Sequence, residues 1–82
     1  MNKEKIYKKI MSIMINQKII KKGETVDYDA NLFETYQINS IIAIKLLIEI
    51  ENSFGIMLSD DELLPENYRT LNSLINIIIN HL

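Results

Sequence analysis

Apolar residues recur with helical spacing in three separate segments of the chain. In the first segment, lysines separate the apolar positions, which are Ile6, Ile10, Ile13 and Met14. This spacing predicts a first helix from about Asn2 to about Ile20. Lysines cluster near its predicted carboxyl end, where cations are favoured, and Gly23 is the predicted stop.

The second periodic segment follows a polar stretch and predicts a helix that starts at Asn39 or Ser40. Either side chain can cap the free amides of a first turn, and Gly55 suits the left-handed turn after a helix that ends near Ser53. The predicted core stripe consists of Ala43, Leu46, Leu47, Ile50 and Phe54. The opposite face holds Ile41, Ile44, Lys45, Ile48 and Asn52. Three outward isoleucines are more than an internal core needs.

The third periodic segment predicts the last helix. Thr70 is its predicted cap, and its core positions are Leu71, Leu74, Ile75, Ile78 and Leu82. Before it, Ser59 and the acids that follow predict one short helix or turn that stops at Pro65. His81, the sole histidine, falls in the final turn, where a cation is favoured near the helix end.

The segments between these helices complete the predicted fold. Residues 24–39 lose the helical period and predict a long loop that its apolar residues pin to the core, with room for a short helical turn near Asn31–Glu34. No hairpin turn signal separates the apolar runs. We therefore expect residues 1–82 to form one all-α domain, a small antiparallel four-helix bundle of three longer helices and one short helix.

The composition narrows the chemistry that is available. The chain has no cysteine, so it offers no thiolate metal site and no thiol nucleophile of its own. Asp60, Asp61 and Glu62 lack the alternating ligands of a calcium loop and suit a helix start instead. Gly23 and Gly55 stand alone, so no glycine-rich phosphate loop is present. We expect no metal and no catalysis by this chain unaided.

Charge is distributed unevenly along the sequence. Residues 1–22 contain seven lysines and one glutamate, whereas residues 23–82 contain Lys45 and Arg69 against ten carboxylates. The acidic part repels phosphate backbones and attracts basic protein surfaces, so we expect protein partners and no nucleic acid. The N-terminal sequence has no apolar run long enough for a signal peptide or a membrane span. We expect a soluble, cytoplasmic protein.

Ser40 stands where a polar loop gives way to an apolar run. From local sequence alone, the simpler interpretation is that Asn39 or Ser40 caps the helix and does nothing else. The two roles are compatible, because a phosphate attached at a helix start lies against the positive end of the helix dipole.

The wider arrangement resembles the acyl carrier and peptidyl carrier protein family over almost the whole chain. Asn39-Ser40-Ile41 is similar to the Asp-Ser-Leu attachment signature of that family. The other matching segments are Asn31–Glu34 in the long loop, Phe54–Ile56 after the second helix, Ser59–Glu62 and Arg69–Leu71. The combination of helix order, loop length and the Phe-Gly pair makes the resemblance specific.

The resemblance implies that Ser40 carries 4′-phosphopantetheine, which a separate phosphopantetheinyl transferase takes from coenzyme A. The thiol of this arm would hold acyl or aminoacyl groups as thioesters for loading, condensing or transfer enzymes. The chain is then a monomeric carrier and a substrate of other enzymes, not an enzyme. The implied partner-docking residues are Asn39, Ile41, Ile44, Lys45, Ile48, Glu49 and Glu51.

Two residues depart from the family pattern. Asn39 stands in place of the usual aspartate and removes a charge that a basic transferase surface would meet. Lys45 stands where fatty-acid carriers often place an acid, which reverses the charge in the middle of the docking face. Together they favour a specialised nonribosomal peptide, polyketide or D-alanyl carrier over one for general fatty acid synthesis.

Two other interpretations of the outward isoleucines stay open. The chain contains seventeen isoleucines and nine asparagines, so a compositional bias can place isoleucine on the surface. The same face can also serve a non-carrier helical module that binds a partner helix. Chemistry at the Ser40 hydroxyl separates such a module from a carrier.

Overall fold

Helices make up the regular structure of the chain, and the computed structural model describes all of its residues, 1–82. The α-helices are α1 (Lys3–Asn16), α2 (Leu32–Thr35), α3 (Ser40–Phe54) and α4 (Leu71–Asn80), and a 3-10 helix spans Pro65–Asn67. The one strand-like contact is an isolated bridge between Asn31 and Thr70. The predicted all-α fold, with three longer helices and a short one, is confirmed. None of the helices combines the length with the apolar character that a membrane span requires.

The core lies where α3 and α4 each pack against α1. From α1 it receives Ile6, Ile10, Met11, Ile13 and Met14. The predicted stripe of α3 is confirmed in full, since Ala43, Leu46, Leu47, Ile50 and Phe54 each expose at most 9% of their surface. No polar or charged residue is buried among them. Burial of apolar surface is therefore the main force that holds the helices together.

The first turn of α4 is capped as predicted. The Thr70 hydroxyl accepts a hydrogen bond from the Ser73 N–H at 3.1 Å, and the Ser73 hydroxyl accepts one from the Thr70 N–H at 3.1 Å. At the other end, the prediction that Leu82 belongs to the core is wrong, because Leu82 is 57% exposed. The helix ends at Asn80 with His81 as its C-cap, so Leu82 lies beyond the last turn.

The predicted end of α1 is also wrong, by about one turn. The helix ends at Asn16, and Lys18 adopts the left-handed conformation with φ 61°. The Lys18 N–H donates to the Ile15 carbonyl at 3.0 Å and the Ile19 N–H to the Met14 carbonyl at 2.9 Å. These two bonds form a Schellman motif, which usually has glycine at the left-handed position. Because a lysine occupies it here, the sequence gives no glycine signal at the true end.

The long loop is pinned at both ends of α2. The Asn31 side chain accepts hydrogen bonds from the Phe33 and Glu34 N–H groups at 2.9 and 3.0 Å and so begins the predicted short helical turn. After α2, Gln37 turns the chain with φ 53°, and the next residue, Ile38, is buried. The loop therefore delivers the chain to the start of α3 from a fixed point in the core.

The segment before α4 forms a turn, which is one of the two predicted alternatives, but the predicted stop at Pro65 is wrong. Ser59 and Glu62 exchange capping hydrogen bonds, at 2.8 Å from the Ser59 N–H and 3.3 Å from the Glu62 N–H, but they close one turn and no α-helix follows. Pro65 was expected to end a helix and instead begins the 3-10 helix, where its missing N–H costs nothing. The Glu62 carboxylate also accepts a 2.7 Å hydrogen bond from His81 Nε2, which joins this turn to the end of α4.

Substitution of two isoleucines of α3 tests which face of the helix lies in the core. Ile50 is fully buried and Ile48 is 51% exposed. We expect Ile50→Ala to lower the free energy of unfolding by about 2–5 kcal/mol, because it opens a cavity in the core. The matched control, Ile48→Ala, should change it by less than about 0.5 kcal/mol. Urea unfolding followed by circular dichroism measures both, and equal losses would contradict the orientation of α3.

Glu62 makes the stability of the fold depend on pH. The hydrogen bond from the Ser59 N–H, and then the one from His81, hold the pKa of the Glu62 carboxyl below its ordinary value of 4.5. A lowered pKa in the folded state stabilises the fold above pH 4.5, and this contribution is lost as the pH falls through the folded-state pKa. Glu62→Gln should therefore be less stable than the wild type at pH 7, with a difference that shrinks on acidification.

Urea unfolding at pH 7 and at several values between pH 5 and pH 3 measures this difference. Glu66→Gln is the control, since Glu66 is exposed and takes part in no side-chain hydrogen bond. If the Glu62 and Glu66 variants show the same pH dependence, the hydrogen bonds of Glu62 contribute nothing specific.

Candidate functional site

The start of α3 is capped by Asn39. This residue has extended backbone angles, and its side-chain oxygen accepts a hydrogen bond from the Ile42 N–H at 2.9 Å. Its carbonyl accepts the first helical hydrogen bond, from the Ala43 N–H. Asn39 rather than Ser40 is thus the cap, and Ser40 is the first residue of the helix.

The Ser40 side chain makes no hydrogen bond that holds the fold together. It is exposed, and its hydroxyl takes part in none of the side-chain hydrogen bonds of the protein. The N-terminal end of α3, which has 15 residues, carries a partial positive charge at this position. The backbone around Ser40 is nevertheless well held, because Ile38 and Ala43 on either side are buried. An anchored backbone with a free hydroxyl suits a residue that other proteins must reach.

No general base stands ready to activate the Ser40 hydroxyl. The sole histidine, His81, follows the last turn of α4 and bonds to Glu62. The residues that flank Ser40 are Asn39 and Ile41, and neither can accept a proton. A serine without a base is a weak nucleophile.

The outward face of α3 is apolar, as the sequence predicted. Ile41, Ile44 and Ile48, which we call the isoleucine face, are 63%, 56% and 51% exposed. They follow Ser40 along one side of the helix. An exposed apolar surface of this kind, next to a free functional group, is typical of a docking site.

A groove of about 190 Å³ borders the isoleucine face. It lies between α3 and the segment after Ser59, and its walls are formed by Ile44, Leu47, Ile48, Glu51, Leu63 and Tyr68. Leu63 and Tyr68 were not among the predicted site residues. Burial raises the pKa of the Tyr68 hydroxyl, and its ring packs on Phe33 with centroids 5.6 Å apart. The apolar pair Leu63-Leu64 is visible in the sequence. It lies in a loop without helical spacing, so the sequence does not show which surface these side chains contact.

The charged residues predicted for docking differ in their surroundings. Lys45 and Glu49 are exposed on α3, and the Glu49 carboxylate accepts a 3.4 Å hydrogen bond from Ser53. Glu51 is partly buried, and its carboxylate accepts a 2.8 Å hydrogen bond from the Leu58 N–H. Glu51 therefore closes the turn after α3, and less of its charge is available to a partner.

A family comparison accounts for this arrangement. Residues 13–78 match the PP-binding family, described as a phosphopantetheine attachment site. The match includes α2, α3, the groove and most of α4. Among curated proteins, no significant match to the sequence is found. Because the family match covers well over half of the chain, the chain belongs to the phosphopantetheine-attachment family of carrier domains, whose covalent cofactor is 4′-phosphopantetheine.

Proposed function

We propose that this protein is an acyl or aminoacyl carrier and that Ser40 is the residue to which 4′-phosphopantetheine is attached. The observation that carries the proposal is the free, exposed hydroxyl of Ser40 at the first residue of α3, within the matched part of the chain. The hydroxyls of three other serines in the matched part form hydrogen bonds with neighbouring side chains or backbone: Ser53, Ser59 and Ser73. The remaining one, Ser12, precedes the match.

The residues at the start of α3 fit the group. A phosphodiester at Ser40 would lie at the positive end of the helix, and the neutral Asn39 side chain adds no like charge beside it. In the attachment step, the Ser40 oxygen bonds to the coenzyme A phosphorus that bears the pantetheine group, the pyrophosphate P–O bond breaks, and 3′,5′-ADP leaves. The hydroxyl proton passes to a base of the transferase, since this chain has none nearby. When bound, the group supplies a thiol, which the cysteine-free chain lacks.

The isoleucine face is the proposed docking surface for the transferase and for the enzymes that load, condense or transfer the cargo. It adjoins the attachment residue, so an enzyme seated on it has its active site within reach of the arm. Asn39 and Lys45, which remove one negative charge and add one positive charge near this surface, favour a nonribosomal peptide, polyketide or D-alanyl carrier. The proposal takes residues 1–82 as one carrier domain that works as a cytoplasmic monomer and as a substrate of other enzymes.

The attachment residue is tested by intact-mass spectrometry. After incubation with coenzyme A, Mg²⁺ and a broad-specificity phosphopantetheinyl transferase, the wild-type chain should gain the mass of one phosphopantetheine. Ser40→Ala should gain none, because it lacks the hydroxyl. Ser53→Ala is the matched control and should be modified like the wild type. A wild-type chain that gains no mass would favour the non-carrier helical module that uses the isoleucine face to bind a partner helix.

Asn39 is tested by restoring the charge that the family usually has there. Asn39→Asp should raise the rate of modification by a transferase that is specific for fatty-acid carriers by about 1.5-fold to fivefold, the effect of one exposed ion pair. Stability should hardly change, because aspartate caps a helix as well as asparagine does. Asn39→Ala separates the two roles: it should lower stability by about 1 kcal/mol without raising the rate. An unchanged rate for Asn39→Asp would show that this charge does not limit recognition.

A further inference from the structure

The edge of the isoleucine face that borders α1 is basic. On the helical wheel, Lys45 lies about 40° from Ile41, so its side chain adjoins the isoleucine face. The Gln17 side chain donates a 3.0 Å hydrogen bond to the Lys45 carbonyl, which places the end of α1 against this edge of α3. Lys18, the next residue, is exposed in the turn that ends α1. Lys45 therefore adjoins the apolar surface, and Lys18 follows the residue that contacts the same part of α3.

These two cations have no acidic partner within the protein. The lysine ion pair in the chain is Lys8 with Glu4, on the exposed part of α1. Other lysines of α1 have structural contacts: Lys9 Nζ, for example, donates to the Ser53 carbonyl at 2.6 Å and lies over the Phe54 ring. Glu49 lies one turn beyond Lys45, but the carboxylate bonds to Ser53, farther along the helix. The positive charges of Lys18 and Lys45 are thus available to another molecule.

The opposite edge of the isoleucine face lies near negatively charged residues. The groove lies on this edge, and the turn that precedes its wall residue Leu63 carries Asp60, Asp61 and Glu62. The Glu62 carboxylate is engaged by Ser59 and His81, whereas Asp60 and Asp61 are exposed. The face is therefore asymmetric in charge: Lys45 lies toward α1, with Glu49 one turn beyond it, and on the other side the turn that leads into the groove wall carries only carboxylates. Such a surface favours one orientation of a partner over the opposite one.

The geometry points to a docking partner with carboxylates on one flank. This inference rests on the proposed carrier function. It assigns the isoleucine face to an amphipathic helix of a partner enzyme. The helix would place an apolar side chain in the groove and glutamates or aspartates toward Lys18 and Lys45. The helix-in-groove mode fits an apolar strip with a cavity at its side. The carboxylates steer the encounter and fix the direction of the helix, because unlike charges attract at this edge and repel at the other.

Two synthetic helical peptides test this assignment. They share one leucine face and differ on one flank, which carries three glutamates in one peptide and three lysines in the other. Titrated into the ¹⁵N-labelled full chain at low salt, the glutamate peptide should bind at least about fivefold more tightly, a difference that shrinks in high salt. Its largest amide shifts should fall on the isoleucine face and on Lys18 and Lys45.

Charge reversal on the protein supplies the control. Lys45→Glu should remove or invert the preference for the glutamate peptide. Lys5→Glu makes the same change about 18 Å along α1 from Gln17 and should leave the preference intact. Equal affinities, tighter binding of the lysine peptide, an unchanged preference in Lys45→Glu, or no saturable binding would each overturn the assignment. Because the titration uses the chain without its arm, its outcome is separate from that of the Ser40 modification test.

Discussion

Burial of one stripe of α3 fixes the rotation of that helix about its axis, and this rotation decides which residues form the proposed docking surface. Each fully buried leucine or isoleucine contributes roughly 1.5–3 kcal/mol, and the stripe from Ala43 to Phe54 places five apolar side chains against the rest of the core. A helix cap contributes only about 1 kcal/mol. Burial therefore decides which way Ile41, Ile44 and Ile48 point, and the cap decides only where the helix begins.

The cap at Asn39 determines what Ser40 is free to do. Because the Asn39 side chain satisfies the Ile42 N–H, the serine that follows does not need to cap the helix. Its hydroxyl is then free, at the end of the helix where negative charge is stabilised. On the same side of the helix lie the isoleucine face and the groove, so one element presents both the proposed attachment residue and the proposed docking surface. The orientation of the isoleucine face thus depends on the buried stripe, and the freedom of the Ser40 hydroxyl depends on the cap.

The sequence was most informative where several local signals agreed. For α3, a capping residue, a helical period and Gly55, whose φ is 64°, all marked the same boundaries. The end of α1 was missed because Lys18 takes a left-handed conformation that usually belongs to glycine. The groove was missed for a different reason: Leu63 and Tyr68 reach α3 from a loop, and such long-range packing has no periodic signature. The basic edge was hidden in the same way, since only the folded chain brings Gln17 to Lys45.

The central claim is that Ser40 alone among the five serines of the chain accepts phosphopantetheine. The most direct measurement is fragmentation mass spectrometry of a digest of the modified protein, which locates the added group on one residue. The account predicts that the group lies on the peptide that contains Ser40 and on that serine, with Ser12, Ser53, Ser59 and Ser73 unmodified. Phosphopantetheine on any of these four, or a digest in which no peptide carries it, would contradict the account.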